Sequence, residues 1–211
     1  MQKIFIVGDI HGCFDKLRAL MEKIPLNTTQ DQLLFIGDYI DRGQSSLDVV
    51  NYLLDIKKRI PGTIFLLGNH EDMLKNYLDG SDRFTYLLNG GQNTLDSYLS
   101  KNLQSELYPI PSDHMEFFKT LRLYYETEAY IFVHAGLRPG IPLAEQADFD
   151  MLWIRHEFLE SDFDWGKPVV FGHTPRKEPL LGDHRIGVDT GCVYGHQLTC
   201  CEVMTLQVWQ V

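Results

Sequence analysis

The chain of 211 residues lacks any long apolar run. No stretch approaches the roughly 20 apolar residues of a membrane-spanning helix. The apolar run near the amino terminus, Ile4–Val7, is also shorter than the apolar core of a signal peptide. We therefore expect a cytoplasmic protein with no membrane partner.

Cysteine is scarce as well: the four residues Cys13, Cys192, Cys200 and Cys201 show no CxxC spacing. The adjacent pair is poorly placed for a simple disulfide bond. This usage is typical of a reducing compartment rather than of a disulfide-stabilised secreted protein.

Positive charge is under-represented, with 19 Lys and Arg against 29 Asp and Glu and a net charge of −10. A broad nucleic-acid or anionic-membrane partner needs a basic face that displaces counterions, so we expect no nucleic-acid partner. A local positive pocket is still compatible with this charge. Repeats, linkers and low-complexity segments are absent, and the sequence predicts a single domain over 1–211.

A short apolar run followed by Gly and a polar group recurs five times along the chain. The runs are KIFIVGD (3–9), QLLFIGD (32–38), TIFLLGN (63–69), AYIFVHAG (129–136) and PVVFGH (168–173). Four or five apolar residues between such boundaries favour strands that are buried on both faces. Each strand would therefore deliver a polar group at its carboxyl end.

Helical spacing of apolar residues separates the first three strands, over 13–24 and 46–60. Alternating strands and helices predict a βαβαβ unit with a parallel sheet, whose ligands bind beyond the carboxyl ends of the strands. Residues 72–126 read as a helical insertion that caps the sheet. Residues 185–195 and 198–211 alternate like edge strands of a second sheet.

The polar residues at the five strand ends are the candidate functional residues. They are Asp9, His11, Asp38, Asp41, Arg42, Asn69, His70, His134 and His173. Oxygen and imidazole ligands without thiolate suit Mn, Fe, Zn and similar ions. Two such ions sharing one carboxylate would lie about 3.5–4 Å apart.

Each short motif has a plainer interpretation when it is taken alone. GDIHG and GNHE are also typical of turns that cap a helix, and His134 or His173 could be a satisfied buried histidine. Five independent turns of this kind are a poorer explanation than one convergent site. The remaining histidines, His114, His156, His184 and His196, are expected on the surface.

The motifs GDIHG, GDYIDRG and GNHE resemble, in order and approximate spacing, three signatures of the PPP-type metallophosphatases. The later HAG (134–136), LWIR (152–155) and GHTP (172–175) also resemble bacterial and phage members of that family. The resemblance implies an α/β calcineurin-like metallophosphatase fold, with a central β-sandwich flanked by helices. It covers nearly the whole chain.

The resemblance also implies a role for each candidate residue. Two divalent cations, manganese by preference with iron or zinc as alternatives, would be bound by six residues: Asp9, His11, Asp38, Asn69, His134 and His173. Asp38 would bridge both cations, and a hydroxide shared by the cations would attack phosphorus. His70 would protonate the leaving alcohol, Asp41 would orient His70, and Arg42 and Arg155 would bind the phosphoryl oxygens.

Two positions depart from the family pattern. Leu67 stands where the family usually has Arg before GNHE, which removes any contact from that arginine. His196 replaces a Gly in the late segment GVDTGCVYGH, where Asp189 is expected to support the site rather than to bind metal. Glu71, which follows His70, is expected to cap or support the loop.

The sequence predicts a serine/threonine protein phosphatase that acts on phosphorylated proteins or peptides. A dinucleoside tetraphosphate hydrolase is the alternative, because related enzymes share the metal motifs. Asp41 and Glu71 favour the phosphoprotein branch, since the dinucleotide branch tends to replace both. A metal-binding regulator without turnover is disfavoured because every expected ligand, the acid and Arg42 are retained.

Overall fold

The structure, a computed structural model, describes residues 2–100 and 110–211. It contains ten strands: β1 (Ile4–Val7), β2 (Gln32–Phe35), β3 (Ile64–Phe65), β4 (Tyr124–Glu126), β5 (Ile131–Val133), β6 (Val169–Phe171), β7 (Leu180–Leu181), β8 (Arg185–Gly187), β9 (Thr199–Glu202) and β10 (Gln207–Gln210). The helices are α1 (Phe14–Lys23), α2 (Ser46–Arg59), α3 (Asn69–Asp79), α4 (Arg83–Tyr86), α5 (Gln92–Leu99), α6 (Ser112–Lys119), α7 (Asp148–Trp153) and α8 (His156–Leu159).

The ten strands form two five-stranded mixed sheets. The first has the order β10-β9-β1-β2-β3, with β1, β2 and β3 parallel, and the second has the order β4-β5-β6-β8-β7, with β5, β6 and β8 parallel. The five predicted strands and both predicted helices are confirmed. The five strand ends are shared between two sheets, three from the first and two from the second.

Alternation of side chains along the strands builds the layers. In β1, Ile6 packs between the sheets while Phe5 and Val7 face the helices that cover the first sheet. In β6, Val170 packs between the sheets while Val169 and Phe171 face α7 and α8. Because successive side chains point to opposite faces, fully apolar strands bury both faces. The result is the predicted β-sandwich flanked by helices.

The carboxyl-terminal strands are placed differently from the prediction. Residues 185–187 form β8, which lies inside the second sheet rather than at its edge. The hairpin of β9 and β10 joins the first sheet, where β9 pairs antiparallel with β1. Alternation marks a strand in the sequence but carries no information on which sheet it joins.

The predicted helical insertion over 72–126 is largely helical in its described part. It comprises most of α3, α4, a π-type turn at Leu87–Gly91 interrupted at Gly90, α5 and α6, and it ends in strand β4. Residues 101–109 of this insertion lie outside the described residues. No helix in the described part of the chain is long and apolar enough to cross a membrane.

Candidate active site

All the predicted ligands lie at the carboxyl ends of five strands, where the two sheets meet. Asp9 and His11 follow β1, Asp38 follows β2, Asn69 begins α3 directly after β3, and His134 and His173 follow β5 and β6. All six residues are buried, and each is at most 5% exposed. The structure thus brings the six residues into one buried cluster, as the sequence predicts.

Asp38 lies at the centre of the cluster. Its Oδ2 is 3.4 Å from His11 Nε2, and its Oδ1 is 3.4 Å from His134 Nε2. Two groups of possible ligands share this carboxylate: one with His11 and His70, the other with His134 and His173. A carboxylate with a separate imidazole near each oxygen is compatible with a bridge between two cations.

Backbone carbonyls set the orientation of two imidazoles. His11 Nδ1 donates to the carbonyl of Ile40 at 2.9 Å, and His134 Nδ1 donates to that of Ile36 at 3.0 Å. Each Nε2 therefore faces Asp38, and its lone pair is available to a cation when the ring is neutral. Two ligand atoms of one cation, each about 2.0–2.2 Å from it, lie about 3.0–3.4 Å apart. The distances of 3.4 Å fit this spacing.

Asn69 and Asp9 complete the cluster with oxygen atoms. Asn69 Oδ1 is 3.0 Å from His134 Nε2 and 3.0 Å from His173 Nδ1. Asp9 Oδ2 accepts from the backbone N–H of His173 at 3.0 Å, while Oδ1 is buried without a hydrogen-bond partner. Buried polar atoms are normally paired, so an orphaned carboxylate oxygen beside other acceptors fits a cation.

The electrostatics of the cluster also favour bound positive charge. Burial, and then the nearby Asp189 carboxylate, raises the pKa of Asp9 well above its ordinary value. Although burial lowers it, the pKa of His134 rises to about 9 because the Asp38 carboxylate faces it. Burial lowers the pKa of His11 to about 3, which keeps this imidazole neutral and able to act as a ligand.

Unusual backbone conformations hold these groups in place. Five residues that are not glycine have positive φ at the site: His11 (46°), Asp38 (52°), Asp41 (71°), Arg42 (65°) and His173 (62°). Such conformations are strained for residues with a Cβ atom and cluster at functional sites. A Cβ added to Gly172 would lie 2.1 Å from Asp9 Oδ1, so only glycine permits this close approach.

Glu71 supports the loop that carries Asp38, as predicted. Its carboxylate accepts from the backbone N–H groups of Asp38 (3.0 Å), Tyr39 (2.8 Å), Ile40 (3.3 Å) and Gly68 (3.1 Å). The bond to Gly68 also caps α3, because Glu71 is the third residue of that helix. One buried side chain therefore fixes both the loop that carries Asp38 and the start of the helix that bears Asn69 and His70.

His70 and Asp41 form a buried pair beside the cluster. His70 Nδ1 is 2.7 Å from Asp41 Oδ2, and both side chains are fully buried. His70 Nε2 has no hydrogen-bond partner among the described residues. Its ring lies edge-on to that of His11, with centroids 4.6 Å apart. The free nitrogen is thus held next to the predicted ligands, where it could exchange a proton with a bound group.

Two residues behind this pair were missed in the sequence. Tyr86 Oη donates to Asp41 Oδ1 at 2.9 Å, and Thr94 Oγ1 donates to the same oxygen at 2.7 Å. The Thr94 hydroxyl also accepts from the Asp41 backbone N–H at 2.8 Å. Both residues belong to the insertion, where the sequence shows a helical pattern but no motif that marks a functional residue.

The two predicted phosphate-binding arginines lie on opposite sides of Asp38. Arg42 Nη1 donates to His11 Nε2 at 2.8 Å, and Arg155 Nε donates to His173 Nε2 at 3.1 Å. Arg42 is half-buried and stacks over the ring of Tyr194, whereas Arg155 is exposed. A cation on His11 Nε2 would take the lone pair that Arg42 contacts, leaving its guanidinium free to bind an anion.

Three of the four remaining histidines lie at the surface, and one is buried. His156, His184 and His196 are exposed as predicted, but His114 is buried, at 2% exposure, between Tyr98 and Asn51. The prediction for His114 was wrong because its partners come from α5 and α2 and are invisible in the local sequence. Asp189 is buried and accepts from the Gly191 N–H at 2.9 Å, which fits a supporting role.

Leu67 does not face the cluster. It is half-buried and lines a groove of about 670 Å³ between α3 and α6. The four cysteines are all free thiols. Neither feature adds a group to the site.

Comparison with known proteins gives a consistent family. The sequence model of the calcineurin-like phosphoesterases matches residues 2–200. The chain is 30% identical over 220 residues to the asymmetrical bis(5′-nucleosyl)-tetraphosphatase PrpE of Bacillus subtilis (strain 168), covering 92% of this chain and 88% of that protein. It is 28% identical to the PrpE of Oceanobacillus iheyensis, covering 93% of this chain and 87% of that protein.

Solved structures show the same fold. A crystal structure assigned provisionally as a diadenosine tetraphosphatase superposes with a TM-score of 0.76 at 23% identity, covering 100% of this chain and 93% of that chain. A serine/threonine phosphatase from Saccharomyces cerevisiae with similarity to human PP5 has a TM-score of 0.67 at 19% identity, covering 94% of this chain and 71% of that chain.

Proposed function

The chain belongs to the calcineurin-like phosphoesterase family, and from this premise we propose that it is a metal-dependent hydrolase that cleaves dinucleoside tetraphosphates asymmetrically. The observation that carries the substrate class is the likeness to asymmetrical bis(5′-nucleosyl)-tetraphosphatases over 92% of this chain. The observation that supports the reaction class is Asp38, which lies between two sets of possible ligands.

This proposal differs from the phosphoprotein phosphatase predicted from Asp41 and Glu71. Glu71 bonds backbone N–H groups, and Asp41 bonds His70, so neither side chain is placed to read a substrate. Their retention therefore does not discriminate between a phosphoprotein and a dinucleotide. The preference for a phosphoprotein is not confirmed, and the alternative is favoured by the relatives.

In this proposal, each site residue has one of three roles: metal binding, phosphate binding or proton transfer. Asp9, His11, Asp38, Asn69, His134 and His173 would hold two divalent cations, manganese by preference, which activate a water molecule and neutralise phosphate charge. Arg42 and Arg155 would bind phosphoryl oxygens from either side of Asp38. His70, oriented by Asp41, would supply a proton to leaving groups that need one.

A parallel rate comparison tests the substrate. Protein loaded with Mn²⁺ is offered diadenosine tetraphosphate, a phosphothreonine peptide and a phosphotyrosine peptide, and metal content is measured on the same sample. We expect the highest kcat/KM for diadenosine tetraphosphate, with AMP and ATP as products. Asp38→Ala, which removes the bridging carboxylate, is the control for metal-dependent turnover.

Each other outcome points elsewhere. Faster turnover of the phosphothreonine peptide would instead identify the protein as a phosphoprotein phosphatase. Two ADP in place of AMP and ATP would show symmetrical cleavage. Bound metal without turnover of any substrate would indicate a regulator that kept the fold.

A further inference from the structure

An exposed aromatic side chain lies on α7, one helical turn before a tryptophan that contacts a proposed ligand. Phe149 is 69% exposed, and its ring is close to parallel with that of Trp153, with an interplanar angle of 20° and centroids 6.3 Å apart. The two residues are four positions apart and therefore lie on the same face of the helix. We call this pair of nearly parallel rings, with Phe149 as its exposed member, the aromatic platform.

The aromatic platform is joined to the proposed metal ligands. The Trp153 ring is edge-on to the ring of His173, with centroids 6.0 Å apart. Two residues further along the chain, Arg155 bonds the same imidazole. Through Trp153, the aromatic platform therefore adjoins both a proposed ligand and a proposed phosphate-binding arginine.

The platform is rigidly placed. Asp150, between its two members, accepts two hydrogen bonds from the guanidinium of Arg138, both at 2.6 Å. The Met151 carbonyl accepts from the N–H of Ala135, the residue after His134, at 2.9 Å. Bidentate arginine pairs fix geometry as well as charge. The helix that carries the platform is thus tied to the same loop as a proposed ligand.

The opposite side of Asp38 is different. Tyr194 is 57% exposed, but the Arg42 guanidinium already lies over its ring, 5.7 Å from the centroid. The exposed face of Phe149 has no such cation on it among the contacts of the described residues. Between Tyr194 and Phe149, the aromatic ring on α7 is the more available to a planar ligand.

We propose that Phe149, backed by Trp153, stacks against a nucleobase of the substrate and so determines specificity for nucleotides over other phosphate esters. The inference rests on the proposed function and locates the base within it. Every base has a π-face, so stacking recognises the nucleobase class without selecting adenine over guanine. The side chain of an aromatic residue in a phosphopeptide is the competing occupant.

Binding of AMP and ribose 5-phosphate tests the platform directly. The two ligands share ribose and phosphate, so the ratio of their dissociation constants reports the base alone. We expect titration calorimetry on Mn²⁺-loaded protein to give AMP about 5- to 100-fold tighter binding than ribose 5-phosphate. In Phe149→Ala that ratio should fall close to one, and Phe149→Tyr, which keeps a π-face, should restore most of it.

Phe163 offers a matched control. It is 40% exposed and also packs against a tryptophan, Trp165, with centroids 5.0 Å apart. It precedes β6, whereas His173 follows that strand, so it lies at the far end from the cluster. Phe163→Ala should leave the ratio unchanged, and circular dichroism should show both alanine variants folded.

The outcomes separate this inference from the proposed function. A ratio near one in the unaltered protein, no AMP binding at millimolar concentration, or an unchanged ratio in Phe149→Ala would each overturn the platform, even if diadenosine tetraphosphate is cleaved. A ratio that depends on Phe149, in a protein that does not cleave diadenosine tetraphosphate, would keep the platform and remove the proposed substrate. Loss of binding to a phosphotyrosine peptide alone would assign the platform to the competing occupant.

Discussion

The hydrogen bond between Asp41 and His70 connects single residues to the chemistry of the site. Both side chains are fully buried, and His70 presents its other nitrogen toward the proposed ligands. In a water-excluded environment a carboxylate fixes both the orientation and the tautomer of the imidazole. The pair is therefore suited to deliver a proton to one position.

His70→Asn should slow alkyl phosphates more than aryl phosphates. Alkoxides leave poorly without a proton, whereas aryl oxides and polyphosphate groups leave more readily. We expect kcat on an alkyl phosphate to fall about 10²–10⁴-fold, the range of general acid catalysis, with a smaller loss on an aryl phosphate. Metal content, measured in parallel, should be unchanged. Equal losses on both esters would remove His70 from the role of acid.

His114 lends itself to a prediction of stability at low pH. Tyr98 Oη donates to Nδ1 at 2.8 Å, and Nε2 donates to Asn51 Oδ1 at 3.1 Å, so the neutral ring is fully paired. Burial lowers the pKa of His114, against the opposing effect of the adjacent Asp113 carboxylate. In the unfolded chain this histidine has a pKa of about 6.5, so it binds a proton more readily than in the folded protein.

The sign follows from this difference in proton binding. As pH falls below about 6.5, the unfolded state gains stability, so the free energy of unfolding decreases by at most about 1.4 kcal/mol per pH unit from this group. His114→Gln should show a shallower decrease between pH 6.5 and 5 in denaturant titrations. His156→Gln, at an exposed position, is the matched control. Parallel curves for all three proteins would contradict the prediction.

At the scale of elements, the insertion does more than cover the sheet. Its π-type turn places Gly90 against the backbone of Arg42, whose N–H donates to the Gly90 carbonyl at 3.2 Å. A Cβ on Gly90, which has a φ of 96°, would lie 2.9 Å from Arg42 Cγ. Tyr86 and Thr94, on either side of this turn, hold Asp41. The insertion thus positions residues that follow β2.

Tyr86→Phe and Thr94→Val should each impair proton donation without removing metal. Each variant deletes one hydrogen bond to Asp41 Oδ1, worth about 1 kcal/mol, so we expect kcat on an alkyl phosphate to fall about 3- to 10-fold. Thr94→Val should have the larger effect because the Asp41 N–H also loses the closer of its two acceptors, Thr94 Oγ1 at 2.8 Å, and keeps Ser46 Oγ at 3.2 Å. The loss should be smaller on an aryl phosphate, which separates positioning of His70 from general disruption.

Tyr124→Phe, on strand β4 and away from the site, serves as the control for this pair. A uniform loss on both esters, or a change in metal content, would show that Tyr86 and Thr94 stabilise the fold rather than position the acid. Rate and metal measurements on one preparation of each variant distinguish the two.

At the scale of the whole molecule, the proposed ligands join two sheets. Asp9, His11, Asp38 and Asn69 follow strands of the first sheet, while His134 and His173 follow strands of the second. Apolar contacts such as those of Ile6 with its neighbours hold the sheets face to face along their length. Cations bound between the strand ends would add a second connection at one edge.

Removing metal should therefore lower thermal stability. A cation that binds only the folded state at 100 times its Kd adds about 2.7 kcal/mol, which corresponds to about 5–10 °C in Tm for a chain of this size. We expect a chelator to lower Tm by about this amount and Mn²⁺ to restore it. In Asp38→Ala, the chelator should not change Tm. An unchanged Tm in the unaltered protein after addition of chelator would mean that metal does not stabilise the contact between the sheets.

The polar side chains of the candidate site could be predicted from the sequence because each follows an apolar run that is recognisable from neighbouring residues. Apolar runs that end in Gly and a polar residue identify the strands. Because the ends of parallel strands in one sheet meet at one edge, the sequence predicted that Asp9, Asp38 and Asn69 lie close together. The supporting role of Glu71 was also suggested by its place after His70 in GNHE.

Tertiary structure alone decided the remaining features. It placed β9 and β10 in the first sheet, buried His114, set Tyr86 and Thr94 behind Asp41, and placed Trp153 between Phe149 and His173. Sequence determines what a segment can bury and which atoms it can offer, since both depend on neighbours along the chain. Partners that are far apart along the chain are chosen by packing of the whole molecule, and that choice leaves no local periodicity or spacing to detect.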